Sequence, residues 1–580
     1  MSNTNSEKIQ YDVLLVGGSP SNLALAHRLV DLAKANGKLF NMAILEKSKE
    51  FGGHVVSGAV SHPHVIERLF PNYKNDGLPV EGVCTKSNLS LLGNKEKWDI
   101  PNFLVPPGMK KEGYLVLTLS KVVYWMANKL KEKIKESTNI KIDFFNGFAA
   151  HDILFETNKV VGVRVEESES INPLDQNVYA NVTCFGDKGF ISRDLIDKFK
   201  LRDNPQIWSV GVKEVWKMTE GKDCCGQVWH TLGFPLLDGT FGGGFVYGMK
   251  DHLLTVGLVI SLDSKNPNIN PQQKLQDYKK HPWIQEMIKG GKLMHYGAAV
   301  LPEGGFYSLP KKFAVDGAIL LGDALGVLDI NSLAGIDKSM ECGIQAADII
   351  FERLETKNFS EKNLTTYKDR VLKSHVGKSL YKGRYFRFAF QENPRLLSNY
   401  IPEVLNGIDE GIPLTGFVNI GVNSPIKSIK DALRMGKLLS GSFDYGPIKY
   451  KPDYQHIVPE FQEKNKVKTN GHLKNTIYSR EDAVFYAHTK YHEGNEHIDE
   501  FNAETCVSCI KKYDALGKDT PCVSDCTAEV HRVDLLEGLR KHAMSLENCV
   551  QCRTCEIVCP EVNLRVKPTA QGSGPDFMGL

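Results

Sequence analysis

Eight of the thirteen cysteines lie between Cys506 and Cys559, at spacings suited to metal ligation. The downstream group is Cys549-Val-Gln-Cys552-Arg-Thr-Cys555-Glu-Ile-Val-Cys559-Pro560. It matches the C-x2-C-x2-C-x3-C-P run of two-cluster iron–sulfur sites. A tight loop presents three thiolates to one face of a cubane, and the fourth, at a turn fixed by proline, points to a second cluster. The upstream group supplies the partner: Cys506-Val-Ser-Cys509, then an enlarged loop, then Cys522-Val-Ser-Asp-Cys526, with Thr527 where proline is usual. Crossed ligation assigns Cys506, Cys509, Cys522 and Cys559 to one [4Fe–4S] cluster and Cys526, Cys549, Cys552 and Cys555 to another. Zinc is the competing ligand, but zinc sites pair two CxxC knuckles across a longer gap and do not need this run.

The other five cysteines, Cys84, Cys184, Cys224, Cys225 and Cys342, are scattered. Crowding at one end of a 580-residue chain favours cofactor ligation in a reducing compartment over a disulfide scaffold. The formal net charge of +2 gives no reason to expect nucleic acid as a partner. With 24% charged and 42% hydrophobic residues, the chain has ordinary globular composition. No uninterrupted apolar run is long enough for a membrane-spanning helix. Met1 to Gln10 lacks the marks of a secretory signal or transit peptide, which favours the cytoplasmic face of a bacterial inner membrane over the matrix side of a mitochondrial one.

A second constellation is a dinucleotide site. Tyr11 to Val16 is a buried-strand pattern ending in Gly17-Gly18-Ser19-Pro20, followed by helical apolar spacing and a second strand ending in Glu46. Against the G-x-G-x-x-G fingerprint, Gly17 is kept, while Ser19 and Asn22 replace the other two glycines. Glu46 is placed to accept ribose hydroxyls, and Gly322-Asp323 at the end of a later strand can orient a ribityl chain. The alternative for such carboxylates is helix capping. His54 and His281 are expected to be structural, and the Trp125/Met126 stripe helix core.

The elements that must position these groups suggest an α/β FAD or dinucleotide-binding fold with a parallel sheet, residues 8–150 and 301–360. A sheet-rich insert at 151–300, a helical connecting region at 361–475 and a C-terminal α+β two-cluster ferredoxin-like domain at 490–580 complete the expectation.

With Leu45-Glu-Lys47, Gly53 to Ala59, Val212-Lys-Glu-Val-Trp216, Gly242 to Tyr247, Tyr296-Gly-Ala298, Glu303 to Pro310 and Gly574-Pro575 in hand, the chain resembles the electron-transfer flavoprotein–ubiquinone oxidoreductase family over nearly its whole length. The resemblance implies FAD, a quinone domain at 151–300, electron-transfer flavoprotein as donor, ubiquinone as acceptor, and peripheral membrane association. It also implies quinone contact at the Glu303 to Pro310 loop, with Gly304 and Gly305, and ligation of the family's single cluster by Cys526, Cys549, Cys552 and Cys555. Thr118 and Phe185 replace an arginine and an acidic residue expected at flavin contacts, and Pro394 to Val422 is more polar than the family's membrane segment. A flavin-free iron–sulfur relay subunit of a larger complex is the alternative function.

Overall fold

The computed structural model describes residues 9–580 except 167–175, 265, 267, 394–395, 424, 441–443, 450–470, 472, 474, 493–495, 537 and 570–571. Most of the expected linker between Tyr450 and Asn475 therefore lies outside the described residues, as does Pro394.

The apolar Ile9–Val16 strand is buried on both faces, with Val13, Leu14 and Leu15 fully enclosed, as a central parallel strand requires. It pairs in parallel with Phe40–Glu46 on one side and Gln176–Phe185 on the other. Ile140–Asn146 and Ala318–Leu320 extend the sheet outward. The Pro20–Asn36 helix packs on the Ile336–Arg353 helix, close enough that a Cβ at Gly343 would sit 2.0 Å from the Ser21 carbonyl oxygen.

The expected boundary at residue 150 falls inside this first sheet. Ala149–Glu156, Lys159–Glu166 and Gln176–Phe185 are members of it, because Gln176–Phe185 fills the place beside the first strand. The expectation failed because hairpin-like strands carry no local mark of the sheet they join.

The second sheet runs in the order Lys292–Pro302, Trp208–Lys217, Leu253–Ser261, Gly242–Met249, Gln227–Gly233, Lys86–Leu92, Lys97–Asp99. Its last two strands come from within the expected FAD segment, and Lys86–Leu92 joins by parallel pairing to Gln227–Gly233. The Pro271–Lys279 helix covers this sheet and carries Lys279, whose Nζ lies 2.8 Å from Glu214 Oε1 with both side chains fully buried. Trp216 Nε1 donates to the other Glu214 oxygen at 2.9 Å, so the buried pair is also hydrogen-bonded.

Between residues 361 and 440 the described chain is helical. The Ile401–Asp409 helix packs Val404, Leu405 and Ile408 against Leu237 of the sheet domain. Asp409, one of the polar residues that sets this stretch apart, accepts the backbone amides of Asn94, Lys95 and Glu96 at 2.7, 2.9 and 3.1 Å. It anchors the helix end to the turn between Lys86–Leu92 and Lys97–Asp99. The C-terminal region combines short helices with two two-stranded antiparallel sheets, Ile498–Glu500 with Leu564–Val566 and His531–Leu536 with Leu539–Met544.

Candidate redox centre

In space the eight tail cysteines gather into two sets, with Cys559 beside the upstream group and Cys526 beside the downstream one. The Ala503–Asp514 helix carries Cys506 and Cys509, the Pro521–Ser524 turn of helix carries Cys522, and these three line one small cavity with Cys559. Burial pushes the Cys522 thiol up, and its thiol neighbours Cys559, Cys509 and Cys506 push it further. Cys555, on the Thr554–Val558 helix, is raised by burial and then by Cys552, Cys549 and Cys526.

Amide donors aim at the sulfurs. Asn563 N and Nδ2 donate to Cys559 Sγ and Cys506 Sγ at 3.2 and 3.1 Å. Gln551 N donates to Cys549 Sγ and Val530 N to Cys526 Sγ, each at 3.3 Å. Such donors stabilise charge on thiolates, so both sets fit thiolate-ligated clusters. In the loop between Cys549 and Cys555, Gln551 and Arg553 take φ of 52° and 68°, the turns that bring its thiols together.

Beside this loop lies a cavity of about 580 Å³ between the two large sheets. Gly17, Gly18, Ser19, Glu46 and Asp323 line it, and so does Cys552. Gly322 stands behind Asp323, outside the lining. The degraded fingerprint keeps its course. Gly17 holds φ 88°, and the Ser19 hydroxyl caps the Pro20–Asn36 helix by accepting the Asn22 amide. The Asn22 side chain folds back on the turn, donating Nδ2 to the Val16 and Gly17 carbonyls at 2.9 and 2.8 Å.

Gly186 makes room for the added side chain: a Cβ there would lie 2.4 Å from Ser19 Oγ. No acidic residue occupies the first turn of the helix, so its N-terminus offers a favourable end to phosphate. Glu46 accepts Gly18 N at 2.8 Å and both the amide and hydroxyl of Ser48. These three bonds leave its carboxylate capacity for one more donor. Thr118 and Phe185 are buried outside the lining, next to the lining residues Leu119 and Gly186. The turn, Glu46 and Asp323 therefore fit a dinucleotide.

The opposite wall comes from the second sheet. Burial lowers the Lys213 ammonium to about 7, and its Nζ donates to the Ser57 carbonyl at 2.8 Å. Burial raises the Glu303 carboxyl to about 7 against the opposing hydrogen bond from Ser209 and the charge of Arg387. Both line the cavity, whereas Gly304 and Gly305 do not. Gly304 N instead donates to Gln206 Oε1 at 2.8 Å. Phe386, Phe390 and Ile401 close the end nearest the helical region.

Sequence reading missed Lys213 and Gln551 as wall residues; the Val212 to Trp216 segment was the only signal for the first. His54 also lines the cavity, half-buried, while His281 is buried and caps the Pro282–Ile288 helix as a structural histidine.

The cysteine loop is clamped to the first domain by charge. Arg553 donates to the Lys188 carbonyl, and its guanidinium lies 2.8 Å from Glu556, which also pairs with Arg193. Burial would raise the Glu556 carboxyl, but Arg553 and Arg193 outweigh it and hold it at about 2.

A family model described as ETF-QO, ubiquinone-binding, matches residues 208–301. The chain is 30% identical to the electron transfer flavoprotein-ubiquinone oxidoreductase of Pseudomonas aeruginosa, over 99% of this chain and 100% of that protein. It is also 30% identical to the mitochondrial protein of that name from Sus scrofa, over 98% of this chain and 89% of the relative. Among solved structures, a geranylgeranyl bacteriochlorophyll reductase-like protein from Thermoplasma acidophilum aligns with TM-score 0.53 and 16% identity, over 74% of this chain and 100% of that one. That likeness concerns the fold alone. By its match across the full length of the Pseudomonas relative, the chain is an oxidoreductase belonging to the electron transfer flavoprotein-ubiquinone oxidoreductase family.

Proposed function

We propose that this protein accepts electrons from reduced electron-transfer flavoprotein and passes them through two [4Fe–4S] clusters and FAD to ubiquinone. One observation carries the reading: a cysteine of the second cluster set, the dinucleotide turn and the ubiquinone-type sheet domain wall a single cavity. FAD supplies the change from two-electron to one-electron chemistry, and the clusters supply one-electron relay. The chain's own residues then have three tasks.

The first is order. Cys552 borders the large cavity, and the set of Cys506, Cys509, Cys522 and Cys559 lines a separate one. This supports an outer cluster as the entry point in a ferredoxin-like tail and an inner cluster next to the flavin. The second is protons, since reducing a quinone to quinol takes up two. Glu303 and Lys213 are shifted toward neutrality at the cavity wall, where each can hold or release a proton near pH 7.

The third is access. No helix among the described residues is long and apolar enough to cross a membrane. The Pro413–Asn423 and Pro425–Ser440 helices instead expose Leu414, Phe417, Val418, Ile426, Ile429 and Leu433. Lys427, Lys430, Arg434 and Lys437 flank the last three at helical spacing. An apolar face edged by cations suits the surface of an anionic bilayer. It adjoins the end of the cavity closed by Ile401, the route by which a quinone would enter.

Quinone reduction by the purified protein, assayed with reduced electron-transfer flavoprotein and a short-chain ubiquinone, tests the proposal. Turnover that needs bound FAD supports it. A protein that holds iron but no FAD and reduces no quinone would instead support the flavin-free relay.

A further inference from the structure

Away from the redox cavity, three histidines and two carboxylates converge from three separate segments. His62 and His64 lie just after the Ala59–Ser61 strand and at the start of the His64–Leu69 helix. Asp337 and Glu341 stand one turn apart on the Ile336–Arg353 helix, and His375 opens the His375–Lys382 helix. None of the five lines the large cavity.

One ligating atom from each of His64, Asp337 and His375 lies within 4.8 Å of the other two. His64 Nε2 is 3.4 Å from His375 Nδ1, and His375 Nδ1 is 3.9 Å from Glu341 Oε2. Bonds of about 2.0–2.1 Å in a tetrahedral site put neighbouring ligand atoms roughly 3.4 Å apart, so little movement is needed to close on an ion.

Two further observations point to a ligand. Asp337 is 4% exposed, and its Oδ1 makes no hydrogen bond among the described residues; Lys338 Nζ lies 3.7 Å from that oxygen, and His375 Nε2 lies 3.5 Å from the other, Oδ2. Leaving a buried carboxylate oxygen unbonded is costly unless something else occupies it. The second is outer-shell support. His64 Nδ1 and His62 Nδ1 are 2.9 Å apart, so His64 can donate its Nδ1 proton to His62 and keep the Nε2 lone pair for a metal. Metal-bound histidines are oriented in this way by a partner on the second nitrogen. Glu341 is 2% exposed and pairs with Arg68, which is half exposed and can move aside. His64 and His375 are partly exposed, leaving a path for an ion.

We propose that His64, His375 and Asp337 bind a divalent first-row metal ion of the zinc class, with Glu341 as the adjoining fourth ligand. The ion would tie the segment after Ala59–Ser61 and the His375–Lys382 helix to the Ile336–Arg353 helix. It would be independent of the cysteine tail. Imidazole and carboxylate donors suit zinc, and thiolate is not needed.

The test uses the cluster-loaded full chain, dialysed against buffered micromolar Zn2+ and analysed for zinc by mass spectrometry. The expectation is about one zinc per chain in the wild type, in line with a single closed site. His64→Ala and His375→Ala should each weaken binding at least tenfold while FAD and iron content stay unchanged. Cys224→Ser with Cys225→Ser should bind like the wild type. Zinc should also raise the thermal midpoint of the wild type, as a ligand of the folded state does. No zinc bound, equal zinc in wild type and histidine variants, or no rise in the wild-type midpoint would overturn the proposal. The last readout decides even if both variants fail to fold.

Discussion

The Val300 amide hydrogen-bonds to the Cys552 carbonyl at 3.1 Å. The edge strand of the sheet domain is thereby joined directly to the cysteine loop, beside the wall of the large cavity. Tyr296, four residues earlier in the same strand, donates its hydroxyl to the Thr527 carbonyl at 2.8 Å, next to Cys526. One strand therefore bonds both parts of the inner cysteine set, of which Cys552 lines the cavity, and changes in the inner and outer sets should have separable effects.

Replacing Cys552 by Ser should remove the inner cluster and about half of the iron and sulfide, with FAD retained. Replacing Cys506 should remove the outer cluster alone. The two variants should lose different components of the EPR spectrum of the reduced protein. Identical spectral losses would contradict the crossed assignment.

The contact between the two principal helices of the first domain has no spare room. Gly343→Ala would place a Cβ 2.0 Å from the Ser21 carbonyl oxygen, a backbone atom that cannot rotate away. Overpacking of this kind costs about 1–3 kcal/mol. Its effect should reach the Ser19–Ser21 turn, so FAD should dissociate more readily as the thermal midpoint falls. Unchanged FAD retention and midpoint would show that the helices can separate freely.

Glu303 predicts a pH signature. Its carboxyl is raised from 4.5 to about 7 in the folded protein, with burial the leading cause. Between these values the folded state holds a proton that the unfolded chain has released, so stability falls as pH rises through the window. The loss amounts to about 3 kcal/mol above pH 7 by the usual conversion of a pKa shift. Glu303→Gln has no such titration. The thermal midpoint of the wild type should drop relative to the variant between pH 5 and 8, and parallel profiles would contradict the assignment.

Membrane docking predicts that Leu414→Asp with Phe417→Asp lowers binding to anionic vesicles by roughly tenfold or more, since both side chains are more than half exposed and apolar. Cluster and FAD content should not change. Vesicle co-sedimentation measures it, and undiminished binding would place the docking surface elsewhere.

The cysteines that the structure gathers were legible as groups in the sequence because they lie at short spacings along one stretch. The strand–turn–helix of the first domain was legible for the same reason, and Ser19 and Asn22 prove compatible with it once Gly186 is seen to make room. The domain boundary was not legible. Lys86–Leu92 and Gln176–Phe185 choose their sheets through partners far away in the chain. In the helical region Asp409 is used inward, on three amides, while Leu414, Phe417 and Val418 are exposed, an arrangement that overall polarity along the chain does not reveal. Lys213 and Gln551 needed the cavity itself, and His64 meets His375 across 311 positions that no local pattern connects.

The proposed function requires one chain to hold two iron cubanes next to a flavin. Iron, acid-labile sulfide, zinc and FAD measured together on one anaerobically purified sample test it most directly. The expected result is about eight iron, about eight sulfide and about one FAD per chain. Thiolate-bound zinc in place of iron, iron for a single cluster, or a protein without FAD would contradict it.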